Sequence, residues 1–154
     1  MRIDQNGKRP QKMPKLIFKA EIMGKPQPKQ RPRFTRRGFA YTPKKTRDAE
    51  AEIVAQLKTK LCGTTAPPQN GLIVELEFYF TPPKSWPKAK RAAAIDGELM
   101  HTKKPDVDNL LKLFIDAATK TGSLWRDDCQ IYQKTGVKRY GSKDKTIFRV
   151  YAPQ

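Results

Sequence analysis

Apolar and polar positions alternate most regularly over Leu72–Phe80. Val74, Leu76, Phe78 and Phe80 share one face there, and Ile73, Glu75, Glu77 and Tyr79 share the other, the period-2 pattern of a strand. A second alternation over Leu16–Met23 puts Leu16, Phe18, Ala20 and Ile22 on one side. Cys129–Tyr140 and Thr146–Tyr151 read as two more strands, joined by the turn Gly141-Ser142-Lys143-Asp144. Helical spacing appears between these runs. Ala49, Ile53, Leu57 and Leu61 recur at i, i+4 behind Thr42-Pro43, which places Thr42 at the N-cap and Pro43 at the first helical position. Leu111, Phe114, Ile115 and Ala118 predict a helix from about Asp108 to Thr119, and Trp86–Ala94 a short basic one. Gly24–Arg33 contains three prolines and is excluded from helix. Phe34–Tyr41, broken by Gly38, suggests a short strand pair, and Gly63–Gly71 a turn-rich connector. The order β(ββ)αβααββ predicts an α+β fold, a single domain with a small mixed or antiparallel β-sheet packed by two main helices. That domain spans 15–154, behind a basic flexible tail over 1–14.

Length agrees with one domain, at 154 residues. Charge changes the picture more. The chain carries 32 Lys and Arg against 15 Asp and Glu, a net +17. Residues 1–47 hold 15 of the basic side chains and only Asp4 and Glu21 as acids, so +13 of the excess lies in the first third. Self-repulsion of that size opposes compaction unless a polyanion screens it, and nucleic acid is the natural partner. A membrane surface is the rival, but Pro14, Pro26, Pro28 and Pro32 deny the segment an amphipathic helix. The longest apolar runs fall far short of a span of about 20 residues. Met1 is followed by polar residues rather than an apolar signal core. Cys62, Cys129 and His101 are too few for a zinc site, and the expectation is two reduced thiols, one or both buried.

Candidate chemistry lies in the minority charge. In Lys104-Pro105-Asp106-Val107-Asp108-Asn109, residues two apart in extended backbone point the same way, so Asp106 and Asp108 can converge. Once the helix begins, Asp108 and Lys112 share a face at i, i+4. Helix capping by Asp106 or Asp108 is the structural alternative. Asp127-Asp128, after Gly122-Ser123-Leu124-Trp125, is a second cluster, and adjacent carboxylates need a cation, a proton or open water. Hard divalent cations take such oxygens, and a site of this kind facing phosphates suits phosphodiester hydrolysis.

The stretch KPDVDNLLKLFIDAATKTG…WRDDCQI resembles the signature of RusA-type Holliday junction resolvases, and GKPQPKQRPRF…YTPKK resembles the basic N-terminal motif of their phage-like branch. The resemblance covers roughly Gly24–Thr46 and Lys103–Ile131. It implies an endodeoxyribonuclease acting as a homodimer on branched DNA in the cytoplasm, bacterial or phage-encoded, with no membrane role. It also implies a need for Mg²⁺, with Mn²⁺ as a substitute, and paired nicks across four-way junctions. Carried over by position, it makes Asp106, Asp108 and Asp128 the metal carboxylates, Asp127 a supporting acid and Lys112 the active-site lysine. The expected DNA grip is Lys25, Lys29, Arg31, Arg33, Arg36, Arg37, Lys44 and Lys45.

Smaller expectations attach to single residues. Asn109 is placed to orient either a water or the loop backbone. Asp116, at i+8 from Asp108, is expected on the outer or dimer-facing helix surface. Glu75 and Glu77, on the polar face of a strand, are expected in solvent, with a place facing the metals open for one of them. Phe34 and Phe39 are open between stacking on unpaired bases and a local core for the ribbon. Two other functions stay open: a non-catalytic basic nucleic-acid-binding protein, and a nuclease that prefers forks, flaps or RNA.

Overall fold

The computed structural model describes residues 3, 5–8, 12–62 and 67–153. The tail expected over 1–14 falls partly on positions outside the described residues, as does the connector at 63–66. Among the described residues, nine strands and helices follow the predicted order, with an added 3₁₀ turn before β5: β1 (Lys15–Met23), β2 (Arg33–Phe34), β3 (Ala40–Tyr41), α1 (Lys44–Lys60), β4 (Leu72–Phe80), α2 (Lys88–Ile95), α3 (Val107–Lys120), the 3₁₀ turn (Asp128–Gln130), β5 (Ile131–Tyr140) and β6 (Lys145–Ala152).

Four strands form one mixed sheet in the order β1-β6-β4-β5, and β2 pairs with β3 in a separate ribbon. β6 runs antiparallel to both β1 and β4, whereas β4 and β5 are parallel. A parallel pair needs a long crossover, and the chain supplies one through α2 and α3. The apolar face of β4 is the centre of the core: Leu72, Val74, Leu76, Phe78 and Phe80 are all buried. Phe114 of α3 meets Phe148 of β6 edge to face at 4.9 Å. Its neighbours Leu110, Leu111 and Ala118 fill the same layer.

Two close contacts hold α3 in place. A Cβ at Gly136 of β5 would stand 2.9 Å from both Leu111 Cγ and Val107 Cγ2, so the lack of a side chain lets the first turns of α3 lie on the edge strand. At the other end, the Lys120 ammonium reaches the buried Glu50 carboxylate on α1. Glu50 and Thr46 thus belong to the buried side of α1 beside Leu57 and Leu61, while Ala49 and Ile53 are half-buried.

Several boundaries differ from expectation. α1 begins at Lys44 with Pro43, in extended backbone, at the N-cap and no side-chain cap from Thr42. The last-but-one strand begins at Ile131 rather than Cys129, because Asp127 caps a 3₁₀ turn over Asp128–Gln130. Both cysteines are free but exposed rather than buried. Glu77 is not simply solvated: on the sheet face away from β4's core residues it pairs with Arg149 at 3.2 Å and Arg139 at 3.7 Å. His101 lies between the rings of Phe80 and Tyr140, at 4.6 and 4.7 Å, and burial holds its imidazole below the usual pKa. No helix among the described residues is long and apolar enough to cross a membrane.

Candidate active site and nucleic-acid interface

Asp106 occupies the N-cap of α3 in extended backbone, yet its side chain makes no cap hydrogen bond. An N-cap aspartate ordinarily accepts from the N2 or N3 amide, so capping does not account for this carboxylate. The segment leading to it is tied down from β5, where Lys138 Nζ donates to the carbonyls of Lys103 at 2.6 Å and Pro105 at 2.9 Å. Asp108, in the first turn, lies 3.4 Å from Lys112, and both side chains are more than half exposed. The pair is therefore accessible to a ligand and contributes little to stability.

Asp116 continues the same helix face and is half-buried rather than outward. It forms an ion pair with Lys29 of the proline-rich loop. That loop is pinned twice more: Lys29 N donates to Asn109 O at 3.0 Å, and Gln30 N donates to the buried Thr46 Oγ1 at 3.2 Å. Asn109 thus serves the loop through its backbone carbonyl. Lys29, expected as a free phosphate contact, is committed to α3 and brings the basic loop alongside the Asp108–Lys112–Asp116 face.

The second acidic cluster hangs from Trp125. This side chain is 0% exposed, packs edge to face on Phe148, and donates from Nε1 to Thr119 Oγ1 at 2.8 Å. Asp127 then acts as a capping residue: its Oδ1 accepts from Cys129 N at 2.9 Å, and Gln130 Oε1 accepts from Asp127 N at 3.2 Å. The Gln130 amide also donates to the carbonyls of Pro68 and Asn70, fixing the turn to the entry of β4. Asp128 projects from the turn in a different electrostatic state. Its carboxyl is pushed above the ordinary range, first by the hydrogen bond it shares with Asp127, then by lost hydration and the negative charges of Asp127 and Asp116. Asp127 is pushed down, chiefly by its bonds from Cys129. The two adjacent carboxyls are thus shifted in opposite directions, Asp127 down and Asp128 up.

Asp116 repels the acidic turn, its charge helping to raise Asp128, and the three expected metal carboxylates stand apart along the chain. Asp106 and Asp108 are at the start of α3, and Asp128 follows the turn beyond its end. Asp108 and Asp116, eight residues apart, are separated by about 12 Å along the helix axis. Among the described residues, no three His, Cys, Asp or Glu side chains converge as a metal-ligand group. The donor chemistry itself fits a hard cation: these are carboxylate oxygens, and the Asp106 side chain is not engaged in capping the helix.

The remaining basic residues are not spent on the core. Arg31, Arg33, Arg36, Arg37, Lys25, Lys44 and Lys45 are all exposed. Lys44 and Lys45 occupy the first turn of α1, which has no acidic residue. Cations are disfavoured at a helix N-terminus, whereas an anion there gains from both the lysines and the free amides. Sequence reading missed the roles of Lys138, Gln130 and Asp116. Only Asp116 had a local signal, its i+8 spacing from Asp108.

A basic loop pinned beside the carboxylates of α3, on an α+β scaffold, defines a protein suited to meet a polyanion near acidic groups. Residues 23–151 match the model of the Endodeoxyribonuclease RusA family, and the chain belongs to that family. No curated protein matches the chain. The family implies a Holliday-junction-resolving endonuclease.

Proposed function

We propose that the chain is a divalent-cation-dependent resolvase that acts as a homodimer in the bacterial or phage-infected cytoplasm and nicks four-way DNA junctions in pairs. The observation that carries this reading is the contrast between Asp106 and Asp127. Asp127 has a structural task as a cap, whereas Asp106 holds the N-cap position without performing it. Asp106, Asp108 and Asp128 would hold Mg²⁺ or Mn²⁺, which requires the acidic turn to close on the start of α3 when the cation binds. When bound, the cation supplies Lewis acidity and neutralises charge on the scissile phosphate.

The chain's own groups do the rest. Lys112 presents its ammonium beside Asp108, where it offsets charge that builds on the phosphate oxygens. The exposed arginines and lysines of 25–45, with the tail over 1–14, hold neighbouring phosphates, which makes affinity fall steeply with salt. A four-way junction has approximate two-fold symmetry, and a two-fold dimer supplies two related sites for its two nicks. End-labelled junction incubated with Mg²⁺ should give symmetric paired nicks that EDTA abolishes. A junction left intact in both Mg²⁺ and Mn²⁺ sinks the catalytic reading in favour of a binding protein. Faster nicking of forks, flaps or RNA would reassign the substrate.

The raised Asp128 adds a pH dependence. A carboxyl coordinates a cation when ionised, so protonation of Asp128 disarms the site. Its upward shift before a cation binds lets protons compete with a limiting cation at a higher pH than they would at an ordinary carboxylate, so activity at limiting Mg²⁺ should be lost there on acidification. Asp127→Asn keeps a capping oxygen but removes the neighbouring negative charge, so the acid limb of the pH–rate profile should move to lower pH. The limb position, not the plateau rate, is the readout. An unmoved limb would remove Asp127 as the cause.

A further inference from the structure

Phe34 and Phe39 are 70% and 69% exposed, so the ribbon has no local core. Its geometry is nevertheless well determined. Phe34 pairs with Ala40 and Arg33 with Tyr41. Gly38 N donates to Thr35 O, Thr35 N donates to Phe39 O, both at 2.9 Å, and Phe39 N donates to Thr35 Oγ1 at 3.1 Å. Gly38 has φ +85°, the left-handed position that closes a three-residue hairpin loop after a type I turn. Strand alternation then sends the two rings to opposite faces: Phe34 lies with Ala40, and Phe39 with Arg33 and Tyr41. Arg36 and Arg37 form the tip.

An exposed aromatic on each face of a stiffened ribbon costs hydration unless a partner covers both. Charge selects the partner. No acidic residue lies between Glu21 and Asp48, so two such ribbons repel each other and a polyanion is attracted. Aromatic rings flanked by arginines suit unstacked bases, which offer a flat face in any sequence, and a duplex offers such faces only where its stacking is broken.

We propose that the β2–β3 hairpin is a two-faced wedge that enters the branch point and stacks Phe34 and Phe39 on bases at either side. Shape selectivity then resides in this ribbon, while the exposed lysines and arginines hold any DNA. The inference rests on the resolvase reading for its substrate, but its test does not depend on cleavage.

Four-way junctions carrying 2-aminopurine at the crossover, mixed with the full-length protein in Ca²⁺, report unstacking as increased emission. Wild type should raise emission on the junction and not on linear duplex. Phe34→Ala and Phe39→Ala should abolish the rise and weaken junction affinity about 5- to 150-fold per ring, with duplex affinity and melting temperature unchanged. Phe34→Trp should retain the signal. Unchanged emission and affinity in the alanine variants overturn the wedge. A change of oligomeric state by sedimentation, with junction affinity intact, overturns it in favour of a protein interface. Wild-type protein that raises emission but never nicks would sink the resolvase reading and leave the wedge standing.

Discussion

Asp106→Asn and Asp128→Asn should bind a four-way junction as tightly as the wild type and nick it at least about 1,000-fold more slowly in Mg²⁺. A bound cation contributes several kcal/mol to transition-state stabilisation, and about 4 kcal/mol corresponds to roughly 1,000-fold in rate. Asparagine keeps the size of the side chain and removes its charge. At position 106 it breaks no cap, because none is formed, so the melting temperature should not move. At position 128 it removes one of two adjacent carboxyls, so the turn should hold or tighten. Gel shifts in Ca²⁺ measure binding, and single-turnover nicking in Mg²⁺ measures the chemistry. Cleavage at the wild-type rate by either variant would rule out that carboxylate as a ligand. Loss of binding together with cleavage would instead make it a DNA contact.

Trp125→Ala should have the largest effect on stability. The side chain is fully buried, meets Phe148, and its Nε1 bond to Thr119 ties the acidic turn to the last turns of α3. Truncating a buried tryptophan costs about 3–5 kcal/mol, which for a chain of this length lowers the melting temperature by roughly 6–20 °C. Junction affinity measured below that melting temperature should survive, because the basic loop is anchored through Asn109, Asp116 and Thr46 instead. Nicking should fall with stability, because Asp127 and Asp128 lose their support. Trp125→Phe separates the two contributions: it fills much of the volume but forfeits the Nε1 bond. Denaturant unfolding followed against nicking rate decides the matter. A Trp125→Ala protein of wild-type stability would show that the ring is not a core anchor.

The periodicity of Leu72–Phe80 and of Leu111–Ala118 was legible because burial on one face leaves a repeat of 2 or 3.6 in the sequence itself. The element order and the α+β class followed from those repeats. Less legible were the ends. Pro43 at the N-cap of α1, which has no side-chain cap, and the 3₁₀ turn before β5, held by the Asp127–Gln130 capping box, depend on local geometry that no periodicity records. Asp127 shows the difficulty well: of an acidic pair in sequence, one member caps the 3₁₀ turn and the other does not, and only the backbone distinguishes them.

What the sequence by itself determined is the set of elements, the concentration of positive charge in residues 1–47 and the two acidic clusters set against it. These are properties of composition and local spacing, written into neighbouring positions. The tertiary structure alone decided that β4 and β5 run parallel, that Gly136 admits the start of α3, and that Lys29 reaches Asp116 across 87 residues of chain. Such contacts arise from which faces the helices bury against the sheet, a long-range packing choice that leaves no periodic trace. The tertiary structure also left Phe34 and Phe39 exposed on the ribbon, where a local reading held base stacking and a local ribbon core equally open.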